Sequence, residues 1–403
     1  MTTATLAAAA RLLPAAAPDL ATHLRGNGPV PWQGGRGRVI SLVADSGLTG
    51  RGGAGFPTWR KLAAVAAGTR TVVIANGAEG EPASVKDRTL LMRAPHLVLD
   101  GLQLAAEAVG ATDAYVYTSA GAPADSVHRA LAERSAAGWD RVAVTVVASP
   151  DRFVSGEESA VVSAVEGRAA LPRDTPRRVV DRGVHGRPTL VQNVETLAHL
   201  ALLVRHGAAW FRELGTPDEP GTFLATVSGA VTATGVYEVP HGAALRHLLT
   251  LAGGSTAGLR AVLVGGYHGA WLPAAVLGEA ELSRAALKPL GASPGAGVVV
   301  ALPMSACGLV ESARILAYLA SQSAGQCGPC VNGLPWLADL LRRLARGERQ
   351  PELVRRAEHA AALVTGRGAC HHPDGTARLA RSSLHTFADE IRLHLAGQCG
   401  ARR

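Results

Sequence analysis

Aromatic side chains are scarce in this chain, at 4% of 403 residues. A core of this size must therefore be assembled from Ala, Val and Leu. Lysine is scarcer still and occurs only as Lys61, Lys86 and Lys288, so arginine supplies nearly all the positive charge. The formal net charge is +8, yet no dense basic run interleaves with aromatics, which argues against a nucleic-acid partner. Long hydrophobic runs are also missing. The longest, residues 295–309, is followed by Glu311 and Arg314 and reads as a strand and a helix start, not as a transmembrane segment. Residues 1–20 are alanine-rich but interrupted by Arg11 and Pro14, and without a charged leader they make a poor signal peptide. Cysteine appears five times, as Cys307, Cys327, Cys330, Cys370 and Cys399. An odd number placed late in the chain suggests metal or redox chemistry rather than a disulfide framework, and with it a cytoplasmic setting.

What is present is 47% hydrophobic and 18% charged, the texture of a globular chain too long for one core. Residues 71–76, 114–118 and 142–147 read as short strands, with helical periodicity over 89–110 and 126–137. Strands alternating with helices predict a layered α/β domain over 1–215. Short strands at 222–228, 235–239 and 261–264, with a helix over 244–251, predict a small β-grasp-like domain over 221–300. Helices over 310–321, 334–346, 351–364 and 377–395 predict a C-terminal four-helix bundle over 305–403.

Four polar motifs fall in the first domain. The stretch from Gly50 to Thr58, GRGGAGFPT, places glycine at Gly50, Gly52, Gly53 and Gly55. Backbone this bare admits a flat ring or a phosphate, and its N–H groups can meet oxygen atoms. Arg51 and Phe56 in the same loop suit an anionic, planar ligand. The loop satisfies G-x-G-x-x-G, but the Rossmann reading requires a preceding strand, and residues 39–48 read as a helix end and turn. Lys61 follows directly. Next come Asn76-Gly77-Ala78-Glu79-Gly80-Glu81-Pro82 with Lys86-Asp87-Arg88, then Ser155-Gly156-Glu157-Glu158-Ser159, then Gln192-Asn193-Val194-Glu195-Thr196. Glycine beside amide or carboxylate groups suits the imide edge of a flavin or the hydroxyls of a ribose.

In order and spacing these motifs resemble the NADH-binding, FMN-carrying F-subunit of respiratory complex I (NADH-quinone oxidoreductase) and the related diaphorase subunits of hydrogenases and formate dehydrogenases. The resemblance spans roughly residues 20–399. It implies a Rossmann-like FMN/NADH-binding domain, an SLBB-like β-grasp domain and a helical iron–sulfur domain. It also implies that Gly52, Gly53, Lys61, Asn76, Gly156, Glu157 and Asn193 contact FMN, with Gly50, Arg51, Gly55 and Gln192 completing the cofactor site. Phe56, Glu79 and Glu158 are implied to help hold NADH, Phe56 by stacking. The activity implied is hydride transfer from NADH to FMN, then single electrons to a ferredoxin-like or other electron-transfer subunit, with any membrane association through partner subunits. Acidic groups near a ribose disfavour a 2′-phosphate, so NADH is favoured over NADPH.

The same resemblance implies a [4Fe–4S] cluster on Cys327, Cys330 and Cys370. Thiolates are the usual ligands of such clusters, and a two-residue gap lets both reach one cluster. Where the family carries its first cysteine, this chain has Ala324. A fourth ligand from His371, His372, Cys399, Cys307 or water, a three-iron cluster, and no cluster at all stay open. Further departures are Trp59, Ala78, Ala83 and Gln192. Those at Trp59, Ala78, Gln192 and Ala324 support an alternative reading, a non-catalytic or cluster-less relative acting as an assembly or interaction subunit.

Overall fold

A computed structural model of the chain describes residues 11–14, 19–174 and 177–401, and the alanine-rich opening lies largely outside them. The chain forms two compact units, residues 1–80, 85–224 and 238–242 in one and 81–84, 225–237 and 243–403 in the other.

The first unit is built on four strands: β1 (Thr71–Gly77), β2 (Ala111–Ser119), β3 (Val144–Ser149) and β4 (Thr189–Asn193). They lie in the order β3-β2-β1-β4, and every pairing is parallel. Val72, Val73, Ile74 and Ala75 are fully buried, as a central strand covered on both faces requires. The helical stretch expected over 89–110 divides into Lys86–Arg93 and Pro95–Val109. The break falls at Ala94, because a residue before proline is pushed out of helical conformation. The second of these helices packs against the helix Val194–Arg212 at Gly101, where a Cβ would lie 1.9 Å from the Leu197 carbonyl oxygen. Only glycine allows that approach.

Chain order turns round beside β1: β2 and β3 extend to one side, and β4 returns to the other. In an open parallel sheet, ligands bind at the carboxyl ends of the strands where the order reverses. Here Ala75 pairs with Gln192 and Asn76 with Asn193 at that edge.

A five-stranded sheet, most of whose residues belong to the second unit, is ordered β6-β5-β9-β7-β8, from β5 (Thr222–Gly229), β6 (Gly235–Pro240), β7 (Leu259–Val264), β8 (Ala270–Pro273) and β9 (Val298–Pro303). β5 and β9 are parallel, while β7 is antiparallel to β8 and β9. The helices Gly308–Ser321, Leu334–Ala345, Glu352–Val364, His372–Thr386 and Ala388–Leu395 follow. The last expected helix is thus two, divided at Phe387, whose ring meets Trp271 of β8 edge-on at 5.4 Å. Thr386 Oγ1 donates to the Trp271 carbonyl at 3.0 Å, so sheet and helices share one core. Among the described residues no helix is long and apolar enough to cross a membrane.

Candidate functional site

A helix, Arg36–Ser46, precedes the glycine loop, so the loop is not a Rossmann fingerprint. It closes on itself: Gly50 N–H donates to the Phe56 carbonyl at 2.9 Å and Thr58 N–H to the Leu48 carbonyl at 3.0 Å. Gly53 (φ 106°) and Gly55 (φ 61°) take the left-handed conformations that the closure needs. Arg51 turns inward and is buried. Its guanidinium donates to the carbonyls of Thr222, Pro220 and Thr49, each at 3.1 Å. The expectation that Arg51 offers its charge to an anionic ligand is therefore corrected: it anchors the loop. Its backbone N–H donates to Thr196 Oγ1 at 2.9 Å, and a Cβ on Gly52 would lie 3.5 Å from that of Asn193. The loop is thereby pinned against the carboxyl end of β4.

The other motifs arrive at the same edge. Asn76, near the end of β1, donates to the Gly156 carbonyl at 2.9 Å and accepts from Ala78 N–H at 3.2 Å. Lys61 pairs with Glu158 and lies 3.4 Å from the Val191 carbonyl of β4. Glu157 caps the helix Glu158–Val165, accepting from Ser159 and Ala160 N–H at 2.9 and 3.1 Å. Asn193 caps the helix after β4 through Glu195 N–H at 3.0 Å. Glu79 accepts from Asp87 and Arg88 N–H at 3.1 and 3.2 Å, at the start of Lys86–Arg93. Three groups expected to touch a ligand thus also satisfy the open N–H groups of three helix starts. Phe56 is 44% exposed, free to stack on a ring. Trp59 lies beside its neighbour Arg60, the guanidinium 5.4 Å from the ring centre.

Beneath the site lies a network that the motifs only hinted at. Lys86 is buried between Asp87 (2.7 Å) and Glu195 (2.8 Å). Burial alone would lower its pKa, but the two carboxylates outweigh it and the ammonium is held charged. Asn193 donates to the second oxygen of Asp87 at 2.7 Å, so this network fixes its side chain. The signal in the sequence was rarity, a lysine kept in a chain that otherwise uses arginine.

The residues fit a flavin on one observation in particular. Gln192 is buried, and its Nε2 has no hydrogen-bond partner among the described residues; Thr58 Oγ1, just past the loop, is in the same state. Buried polar atoms are normally paired, so both carry hydrogen-bonding capacity that the described residues leave unused.

In the second unit Cys327 and Cys330 bring their sulfurs within 3.3 Å across the wide helical turn Pro329–Gly333. Burial pushes the Cys330 thiol up to about 11, and Cys327 and Cys370 add to it. A thiol held protonated at Cys330, with Cys327 and Cys370 close enough to act on it, suits a cationic iron centre that would take the proton's place. His372 is corrected as a fourth ligand. Its Nε2–H donates to the Leu319 carbonyl at 2.8 Å, so its one lone pair, on Nδ1, accepts from His268 Nε2–H at 3.1 Å. His371 is exposed beside Asp374. Cys307 and Cys399 are also corrected: they group with Glu390 and His394 instead.

Residues 43–202 match the Nuo51 FMN-binding domain, 224–266 the SLBB domain, and 311–394 the NADH-ubiquinone oxidoreductase-F iron-sulfur binding region. NADH-quinone oxidoreductase F-subunit 2 of Rhizobium meliloti (strain 1021) is 34% identical over 374 residues, 89% of this chain and 88% of that protein. The NADH-quinone oxidoreductase F-subunit of Escherichia coli (strain K12) is 32% identical over 88% of this chain and 83% of that protein. A chain of an NAD+-reducing [NiFe]-hydrogenase, solved in its air-oxidized state, superposes with a TM-score of 0.82 at 33% identity. The match covers 89% of this chain but only 62% of that one. Identity at this level, sustained along both chains, means that the protein belongs to the family of NADH-quinone oxidoreductase F-subunits.

Proposed function

We propose that the chain oxidises NADH on an FMN held at the carboxyl ends of β1 and β4, and passes the electrons through an iron–sulfur site on Cys327, Cys330 and Cys370 to a partner subunit. The observation that carries this reading is the convergence of the glycine loop, Asn76, Gly156 and Gln192 where the strand order reverses, with the Gln192 donor left over. FMN, when bound, supplies the conversion between a two-electron hydride donor and single-electron acceptors. The chain's own part is positional. Bare glycine backbone sets the approach distance, Gln192 and Lys61 offer donors to the ligand's oxygens, and Phe56 covers the nicotinamide face. No side chain is needed as acid or base, since hydride transfer demands alignment and exclusion of water. Without a membrane-crossing helix of its own among the described residues, the chain reaches any quinone-reducing partner by docking.

Purified chain reconstituted with FMN is expected to bleach on anaerobic addition of NADH; persistence of the oxidised spectrum would sink the proposal. Gln192→Leu is expected to weaken FMN binding about tenfold, the worth of one buried hydrogen bond, read by flavin fluorescence. An unchanged affinity would remove Gln192 from the site. Ala324 favours a second reading, in which flavin is reduced and electrons leave without a cluster. Iron and sulfide analysis of anaerobically purified protein separates the two: about four of each supports the first, none the second.

A further inference from the structure

We propose that Cys307, Glu390, His394 and Cys399 form a closed four-ligand site for a zinc-class divalent cation, separate from the cysteine turn of Cys327 and Cys330. One ligand atom from each lies within 4.8 Å of all the others. Bonds of about 2.3 Å to sulfur and about 2.0 Å to nitrogen or oxygen place tetrahedral ligands roughly 3.3–3.8 Å apart. Cys307 Sγ and His394 Nε2 are already 3.4 Å apart. Glu390 and His394 are buried, and Cys307 and Cys399 are half-buried.

Each ligand is aimed by the fold. Glu390 and His394 stand four residues apart on Ala388–Leu395, on one face of that helix. His394 Nδ1–H donates to the Leu344 carbonyl at 3.1 Å, so Nε2 carries the lone pair, and an outer partner of this kind is usual for a metal-bound imidazole. Glu390 accepts Gly308 N–H on Oε2 at 3.0 Å, and its buried Oε1 has no hydrogen-bond partner among the described residues. Arg260 Nη1 lies 3.9 Å from that oxygen. Gly397 (φ 78°) ends the helix in a Schellman turn: Gln398 N–H donates to the Leu393 carbonyl at 2.8 Å and Gly397 N–H to that of His394 at 2.9 Å. The turn folds Cys399 back toward His394. Cys307 is the N-cap of Gly308–Ser321. Gly308 must lack a side chain, because a Cβ there would sit 2.3 Å from the Phe387 ring.

The donor set chooses the cation. Two thiolates and an imidazole select a borderline-soft metal, with zinc the commonest occupant of four-coordinate sulfur and nitrogen sites. Binding releases the two thiol protons to solvent. Two thiolates, one carboxylate and a 2+ ion leave one negative charge, which Arg260 faces. A disulfide between Cys307 and Cys399 accounts for the group less well, since it would remove the Cys307 thiol that the buried His394 nitrogen now faces.

The test uses the full chain, purified without chelators from zinc-supplemented cells. One zinc per chain is expected, lost in Cys399→Ser and kept in Cys327→Ser. Metal-stripped wild type titrated with Co2+ is expected to show thiolate charge-transfer and intense tetrahedral bands, weakened in His394→Gln, with about two protons released per cobalt near neutral pH. The titration needs no folded variant. Zinc that follows Cys327, a wild type that binds neither metal, or a Cys307–Cys399 disulfide in the protein as isolated would overturn the proposal.

Discussion

Lys86 and Glu238 show how much a single buried charge can decide in this protein. Lys86 is the only ammonium between Asp87 and Glu195, both buried. Lys86→Met would leave two carboxylates facing each other, and removing one partner of such a group costs about 3–5 kcal/mol. Urea unfolding is the measurement, and the same variant should retain FMN poorly, because Asn193 loses its fixed partner. Glu238 accepts hydrogen bonds from Thr222 Oγ1 and from Arg11 and Leu12 N–H at 2.6–2.8 Å. Burial outweighs them and its carboxyl is pushed up to about 7 from the ordinary 4.5. Between those values Glu238 holds more proton in the folded chain than in the unfolded one, so its own contribution to stability is lost as pH rises from about 4.5 to 7. Glu238→Gln should flatten that slope, by about 3 kcal/mol at most. Thermal melts across the window would decide, and an unchanged slope would count against the buried carboxyl as its source.

Among the elements, the contact between Pro95–Val109 and Val194–Arg212 leaves no room for a side chain at Gly101. Gly101→Ala pushes a methyl group into the Leu197 carbonyl, an overpacking expected to cost about 1–3 kcal/mol or more. It should also weaken FMN binding, since the displaced helix starts at Asn193; equal melting and affinity would refute the close approach. This contact was invisible in the sequence, where Gly101 is one small residue in a long helical stretch. β1 and β2 were legible from continuous apolar runs. β4 was not, because Gln192 and Asn193 give a five-residue buried strand a polar end, and no strand was expected there. The divide at Phe387 was hidden because helical periodicity runs through it, and Phe387 leaves the helix to reach Trp271. Glycine and rarity marked residues that the fold brings to one edge of the sheet, such as Gly52 and Lys61. Arg51 misled, because a charged side chain in a bare loop looks the same whether it points to a ligand or into carbonyls. Glu390 and His394 carried only their four-residue spacing, which gains meaning once the Schellman turn returns Cys399.

At the scale of the whole molecule, the net charge of +8 bears on association. A surplus of this sign speeds encounter with acidic partners and is screened by salt. Reduction of an acidic electron-carrier protein should slow about tenfold between low and physiological ionic strength, while a small uncharged quinone analogue should be indifferent. Stopped-flow traces at graded NaCl give the comparison, and equal salt dependence would assign the effect elsewhere. The double service of Glu79, Glu157 and Asn193 has a different kind of consequence, for how this chain can evolve. Each satisfies the open N–H groups of a helix start, so drift at these three positions is penalised by misfolding before any change in chemistry is felt. Variation is pushed onto neighbours that stand at no helix start, such as Ala78 and Gln192. Those are positions where this chain has left its family's pattern, and where a laboratory search for altered nucleotide preference would find room to move.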